Sequence, residues 1–242
     1  MKYIVGDIHG EIIKLKTLID FILKNDSNPK FVFIGDYIDK SGNPKDVLTF
    51  LNRLKNIYDC IFLKGNHEYY WELLSKHDKK IENYLLKYGG IFTIKSFNSE
   101  CIYETRDIMF SEYEGFFKLL KYYWQSDLFF VSHSGVNPKY FNYLPNSIPF
   151  SEFLFNRYSF IKTKQFFQNK RMIFGHTGFY SVYYDTFKIG IDTSGWLLDD
   201  QPISCFCIEN SVILNSNKNT YSLNNILLDR CSNIPRVEKK YL

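Results

Sequence analysis

Alanine is absent from all 242 residues. Lys, Asn, Ile, Phe and Tyr are abundant instead, the pattern of AT-rich coding, so the 19% aromatic content reads as packing and not as a binding surface. Cysteine is sparse. Cys60, Cys101, Cys205, Cys207 and Cys231 are odd in number and form no CxxC pair, which argues against a disulfide framework and fits buried thiols in a reducing, cytoplasmic setting. No apolar run approaches the length of a membrane-spanning helix, so no membrane partner is expected. No leader is expected either, because Met1-Lys2 runs straight into a short strand and the polar turn Gly6-Asp7-Ile8-His9-Gly10 follows. Basic blocks are missing beyond pairs such as Lys79-Lys80. The net charge of +4 therefore mildly favours anionic substrates but gives no footprint for nucleic acid. Neither GxGxxG nor GxxxxGK(S/T) occurs, which weakens a nucleotide-binding α/β reading.

What is present is a recurring unit. With 45% hydrophobic and 23% charged residues the chain can bury a core, and its length suits one large domain. Short β-branched and aromatic runs stop at Gly or Ser and then at a polar residue. Tyr3-Ile4-Val5 leads to Gly6-Asp7, and Phe31-Val32-Phe33-Ile34 to Gly35-Asp36. Cys60-Ile61-Phe62-Leu63 leads through Lys64 to Gly65-Asn66. Leu128-Phe129-Phe130-Val131 leads to Ser132-His133, and Met172-Ile173-Phe174 to Gly175-His176. Helical spacing lies between the early runs, at Ile12, Leu15, Leu18, Ile19 and Ile22 in 11–24 and at Val47, Leu48, Leu51 and Leu54 in 45–56. Alternating strand and helix predicts an α/β fold with parallel strand pairs, whose ligands gather at strand carboxyl ends. Further helices are predicted over 68–88, ended by Gly89-Gly90, and over 112–123, within a helical segment around 69–125. The runs 187–191, 203–208 and 211–215 predict antiparallel strands, with a hairpin at Glu209-Asn210-Ser211. Arg236 to Leu242 read as a tail.

Of the 5 histidines, only His77 lies outside these turns, and it reads as a solvated helix residue. A single histidine in such a turn would read as structural. His9, His67, His133 and His176 together with Asp7, Asp36 and Asn66 read as a metal site. Asp7 and His9 are two apart and can reach one ion. Asp36 can bridge two, and Asn66, His133 and His176 add neutral ligands to the second. Oxygen and imidazole donors without thiolate suit Mn, Fe or Zn better than Ca. Two such ions can hold a hydroxide between them and clamp a phosphoryl group for in-line attack. Without cations, Asp7, Asp36 and Asp39 near one point would repel.

The segments Gly-Asp-Ile-His-Gly (6–10), Gly-Asp-Tyr-Ile-Asp (35–39), Gly-Asn-His-Glu (65–68), Ser-His-Ser-Gly (132–135) and Gly-His-Thr (175–177) resemble the phosphoprotein phosphatase family of metallophosphoesterases, closest to its bacterial-type serine/threonine branch. Tyr88-Gly89-Gly90 through Ser96, Phe130 through Pro138, and Ile191-Asp192-Thr193 also look like that branch. The resemblance implies a calcineurin-like metallophosphatase β-sandwich flanked by helices, with residues 1–242 forming one such domain. It implies a first metal on Asp7, His9 and Asp36, and a second on Asp36, Asn66, His133 and His176. His67 would be the general acid for the leaving oxygen, oriented by Asp39. Lys40 and Arg157, with Asn66, would grip the substrate phosphate. The family's usual Arg and Gly are here Lys40 and Ser41, and Lys lacks the bidentate fork of Arg. Ser134 stands where Ala or Gly is usual, which an alanine-free composition accounts for. Glu68 and Asp192-Thr193 read as structural, and Tyr37 reads equally as pocket lining or packing.

The implied activity is hydrolysis of phosphoserine and phosphothreonine in proteins, extending to phosphotyrosine and small phosphoesters. Two alternatives stand beside it. Dinucleoside polyphosphate hydrolases of the same superfamily tend to lack the Asp found here as Asp39. A catalytically dead binding module would need ligand losses that the chain does not have, and only Lys40 points that way.

Overall fold

The computed structural model describes residues 1–75 and 78–223. His77, Cys231 and the tail Arg236–Leu242 lie outside the described residues.

The first half alternates as the spacing predicts. Strand β1 (Lys2–Val5) leads to helix α1 (Ile12–Leu23), β2 (Lys30–Phe33) to α2 (Pro44–Leu54), and β3 (Asp59–Phe62) to α3 (Asn66–Leu73). Strands β1, β2 and β3 pair in parallel, as strand–helix–strand connections require. Asn43 starts α2 by accepting the backbone N–H of Asp46, with Pro44 at the first helical position.

The middle departs from expectation. Residues 68–88 form two helices, α3 and α4 (Lys79–Lys87). The chain leaves helical geometry at Leu74 (ψ 122°), and Asp78 caps a new start by accepting from Lys80 and Ile81 N–H. Gly89 then sits at φ 95° and helix α5 (Gly90–Ser96) begins at once. Helix α6 (Ile102–Glu112) and the single turn α7 (Glu114–Phe117) occupy the next stretch. The helix predicted over 112–123 is therefore largely absent. There the chain turns extended, because Lys121 exchanges backbone hydrogen bonds with Phe62 and Lys64 and so prolongs the sheet edge.

The rest supplies β4 (Tyr123–Gln125), β5 (Phe129–Ser132), the short helix α8 (Tyr158–Lys162), β6 (Arg171–Phe174), β7 (Tyr183–Tyr184), β8 (Lys188–Gly190), β9 (Ser204–Cys207), β10 (Val212–Asn215) and β11 (Thr220–Ser222). The hairpin at 209–211 joins antiparallel β9 and β10. The run 187–191 differs from its prediction on one side: β8 is antiparallel to β7 but parallel to β6.

Among the described residues the strands form two sheets, ordered β11-β10-β9-β1-β2-β3 and β4-β5-β6-β8-β7. Side-chain alternation stacks them. Ile4, Val32 and Ile34 of the first sheet meet Val131, Ile173 and Ile189 of the second in a shared core. The opposite faces of the same strands are covered too. Tyr3, Val5, Phe31 and Phe33 pack on α1, α2 and the residues from Trp71 to Phe117. Phe130, Met172 and Phe174 pack under Phe153, Phe160 and Phe167. The predicted sandwich flanked by helices is thus observed, and Trp71, Leu85, Ile94, Met109 and Phe116 from the stretch around 69–125 pack into its core. No described helix is long and apolar enough to cross a membrane.

Candidate active site

The polar residues that end β1, β2, β3, β5 and β6 converge, because the carboxyl ends of these strands face one another across the sandwich. His9 Nε2 lies 3.3 Å from Asp36 Oδ2 and 4.0 Å from Asp7 Oδ2. His133 Nε2 lies 3.4 Å from Asp36 Oδ1. Asn66 Oδ1 lies 3.0 Å from His133 Nε2 and 2.7 Å from His176 Nδ1. All of these side chains are buried.

The backbone is bent hard to achieve this. His9, Asp36, Asp39, Lys40 and His176 have φ between 47° and 67°, a region that non-glycine residues seldom enter. Glu68 supports the bend at Asp36. Its carboxylate accepts the N–H groups of Asp36, Tyr37 and Gly65 at 2.8–2.9 Å. Burial and then the charge of Asp36 push this carboxyl up to about 8. Two glycines let the carboxylates approach. A Cβ on Gly65 would stand 2.1 Å from Asp36 Oδ1, and one on Gly175 would stand 2.0 Å from Asp7 Oδ1.

The donor set fits divalent cations. Two clusters, His9–Asp36–His67 and Asp36–His133–His176, have ligand atoms within 4.8 Å of one another and share Asp36. His9 Nδ1 faces Ile38 O at 2.9 Å and His133 Nδ1 faces Ile34 O at 3.0 Å, which leaves each Nε2 with its lone pair toward the centre. His9 Nε2 is buried with no hydrogen-bond partner. Burial pushes the imidazoles of His9, His133 and His176 below their ordinary range, which favours the neutral form that ligates a cation. Burial, then Asp192 and Asp36, push Asp7 well above the carboxylate range. Burial alone would raise Asp36 too, but His133, His67 and His9 outweigh it and hold Asp36 ionised. Crowded buried carboxylates beside the unpartnered His9 Nε2 are an arrangement that cations relieve.

His67 stands beside this centre, with Nε2 3.9 Å from Asp36 Oδ2 and Nδ1 2.7 Å from Asp39 Oδ2. Asp39 also accepts Trp71 Nε1–H at 2.9 Å and the Thr93 hydroxyl at 2.5 Å. Trp71 and Thr93 were not anticipated. Trp71 carries a legible signal, since it lies four residues beyond His67 and so on the same helix face. Thr93 comes from α5 and carries none.

The charges of Lys40 and Arg157 both reach the cluster. Lys40 is half-buried, and its Nζ lies 4.3 Å above the Trp196 ring, whose edge also meets His9 at 5.7 Å. Its charge bears on Asp7, His9 and Asp192. Arg157 is exposed at the start of α8, and after burial its charge is the next influence lowering His176. Ser134 does more than fill an alanine position: its hydroxyl accepts Asn156 N–H at 2.9 Å and tethers the segment that carries Arg157. Ser41 Oγ binds His9 O at 2.7 Å. Tyr37 resolves to packing, fully buried with its hydroxyl on Leu63 O at 2.7 Å. Thr193 is structural, its hydroxyl on Pro202 O at 2.6 Å. Asp192 holds Ser194 N–H at 2.8 Å and also adds charge beside Asp7.

A two-sheet α/β sandwich with this cluster at its strand ends defines a metallophosphoesterase-type domain. The calcineurin-like phosphoesterase family profile matches residues 3–180, and the chain belongs to that family of metal-dependent hydrolases. Over 72 residues, 30% of the chain, it is 31% identical to a symmetrical bis(5'-nucleosyl)-tetraphosphatase of Coxiella burnetii; the matched part spans only 24% of that relative. Two solved structures share the fold at low identity. A cold-active protein-tyrosine phosphatase of a psychrophilic Shewanella has a TM-score of 0.64 at 14% identity, covering 92% of this chain and 80% of that one. A protein serine/threonine phosphatase of Saccharomyces cerevisiae has a TM-score of 0.53 at 15% identity, covering 97% and 82%.

Proposed function

We propose that the protein is a phosphomonoesterase with two divalent cations that acts on phosphorylated protein side chains, phosphoserine and phosphothreonine with phosphotyrosine as the third. The observation that carries this is the shared carboxylate Asp36 between two ligand clusters, with the His67–Asp39 pair at 2.7 Å beside them.

Asp7, His9 and Asp36 would hold one cation, and Asp36, Asn66, His133 and His176 the other, with Mn as the leading candidate and Fe or Zn as the alternatives. Bound there, the cations would supply Lewis-acid polarisation of the phosphoryl oxygens and of the attacking water. Asp39 accepts from His67 Nδ1, fixes the ring, and leaves Nε2 to give its proton to the departing alkoxide. Lys40 and Arg157, whose charges both reach the cluster, would neutralise the phosphate, and the Asn66 amide would assist them. Ordering the Arg157 segment through Ser134 lowers the cost of gripping substrate.

Asp39 Oδ2 at His67 Nδ1 also suits a third metal-ligating imidazole, because ligand histidines commonly have such partners. Substitution separates the roles. Asp36→Asn should abolish both metal content and turnover of a phosphopeptide with added Mn. His67→Asn should keep both metals and lose about 10²–10⁴-fold in kcat. Wild-type turnover in either variant defeats the proposal, and metal loss in His67→Asn makes His67 a ligand.

The similarity to nucleosyl-tetraphosphatases supports a second reading, hydrolysis of dinucleoside polyphosphates. Diadenosine tetraphosphate assayed beside the phosphopeptides decides between them: a kcat/KM for it far above every phosphomonoester would replace the first reading.

A further inference from the structure

The Lys40 ammonium has a seat, and the seat is secured from a part of the chain that belongs to none of the strand ends. The ammonium rests on the Trp196 ring at 4.3 Å. The indole does not fix itself there through its own donor, because Trp196 Nε1 is buried with no hydrogen-bond partner. Its place is set by its loop. Lys14 on α1 reaches that loop across 181 positions, donating to Gly195 O at 2.5 Å and to Leu198 O at 3.0 Å, so one ammonium holds the backbone on both sides of Trp196.

Lys14 is held in turn. Glu11, three residues earlier, places Oε2 3.9 Å from Lys14 Nζ. Its Oε1 stands 2.6 Å from Ser41 Oγ. The single Ser41 hydroxyl proton is shared between Glu11 and His9 O, the latter at 2.7 Å. Ser41 is the residue after Lys40, and its N–H donates to Asp39 O at 2.8 Å. The turns that carry Glu11 and Ser41 meet too closely to slide. A Cβ on Gly10 would stand 2.0 Å from Ser41 O, and one on Gly42 would stand 2.3 Å from Gly10 O. The contacts therefore close a ring, from Lys40 through Ser41, Glu11, Lys14 and Trp196 back to Lys40, and every member is half-buried.

Resting on the phosphomonoesterase reading above, in which Lys40 meets the phosphate, we propose that Lys14 is a positioning residue that acts through Trp196 to set where the Lys40 ammonium presents its charge. A flexible stem ending in a point charge meets an anion at a fixed place only if something confines it beforehand. An indole face is the strongest aromatic surface for a cation. It confines Lys40 only while its own loop is fixed, and the two carbonyl bonds from Lys14 fix it. Glu11 balances the charge of Lys14, so the lock adds no net charge beside the site. Ser41 links the lock back to the turn that carries Lys40.

The test measures inorganic phosphate binding to the Mn-loaded protein by calorimetry, beside kcat on an aryl phosphate. The dissociation constant of phosphate should rise about two- to fivefold in Lys14→Met, the range of an exposed cation–π contact, with kcat less affected. Lys14→Arg should stay near wild type, and Ser41→Ala should move the constant the same way by less. The double variant Lys14→Met/Trp196→Leu should be no worse than Trp196→Leu. A double variant whose loss is the product of the two single losses overturns the proposal, because Lys14 then acts without the indole. Acrylamide quenching of Trp196 emission, taken as the difference between each chain and the same chain with Trp196→Leu, reads the seat without metal or turnover. It should rise in Lys14→Met, and an unchanged value overturns the proposal. Lys40→Met separates the two readings. If it leaves phosphate binding unmoved while Lys14→Met loosens Trp196, Lys40 does not meet phosphate, and the lock on Trp196 stands without that role. If Lys40→Met weakens phosphate binding and Lys14→Met does not, Lys14 positions nothing. Wild type that turns over no phosphomonoester, with the binding shifts intact, removes the phosphomonoesterase reading and leaves the lock.

Discussion

Trp196 lies between two groups of the site, Lys40 at 4.3 Å from its ring and His9 at its edge. Lys is a point charge on a flexible stem, so a position that must grip phosphate has to be ordered by something else. Trp196 supplies that order, and its own loop is pinned by Lys14 Nζ on Gly195 O at 2.5 Å. Trp196→Leu should therefore raise the inhibition constant of inorganic phosphate about two- to tenfold, the range of a partly desolvated cation–π contact, with kcat less affected. Trp196→Phe should fall between wild type and Leu. An inhibition constant that does not move would show that Lys40 works without the indole or does not meet phosphate. None of this was legible in advance. Asp7, His9, Asp36 and the other strand-end residues could be read because their positions repeat a local pattern. Trp196 and Thr93 reach the site only through tertiary packing, and a residue alone in sequence carries no mark of what it will touch.

The working element is the strand end, and after β2 and β6 a glycine there precedes a left-handed polar residue, Asp36 or His176. Gly175 has Asp7 Oδ1 where its Cβ would be, with Ile34 Cδ1 only 2.4 Å away. Gly175→Ala should displace the Asp7 carboxylate, reduce bound metal from two equivalents toward one, and cost about 1–3 kcal/mol through overpacking. Gly115, where an added methyl meets nothing within 4 Å, is the control. It sits in a helical turn, and Gly115→Ala should leave metal content intact and be neutral or stabilising. Elemental analysis with thermal melts of both variants checks this; two equivalents retained in Gly175→Ala would mean that Asp7 is not a ligand. The elements nearest these ends were read correctly, because buried strands between turns and amphipathic helices announce themselves by period. The middle was misread where period gives no boundary. The helical pattern of 68–88 continues through Leu74, and only the Asp78 cap restarts it. The predicted 112–123 helix yielded to strand pairing by Lys121, a long-range contact that outweighed local preference.

At the scale of the whole molecule, burial sets the protonation state in which the site meets a cation. Three sheet-end imidazoles, His9, His133 and His176, are pushed down by burial, toward the neutral form. Asp7 is pushed up, toward its protonated form, and Glu68 is pushed up to about 8, by burial and then by the charge of Asp36. A cation displaces the proton on Asp7 and cancels the Asp36 charge that helps protonate Glu68. Binding therefore releases protons from carboxyls, and affinity falls as pH falls. The logarithm of the Mn affinity should rise with pH through the acid range in competition with a chromophoric chelator, and calorimetry across buffers should show proton release on binding. Imidazoles left at ordinary values would add their own protons and steepen the rise. An affinity that does not change with pH, or binding without proton release, would contradict a site dried by the two sheets. The same linkage makes the fold depend on its metals: at about 100 times the dissociation constant a cation adds about 2.7 kcal/mol of stability. The gap in melting temperature between Mn-loaded and chelator-stripped protein should accordingly narrow as the pH is lowered.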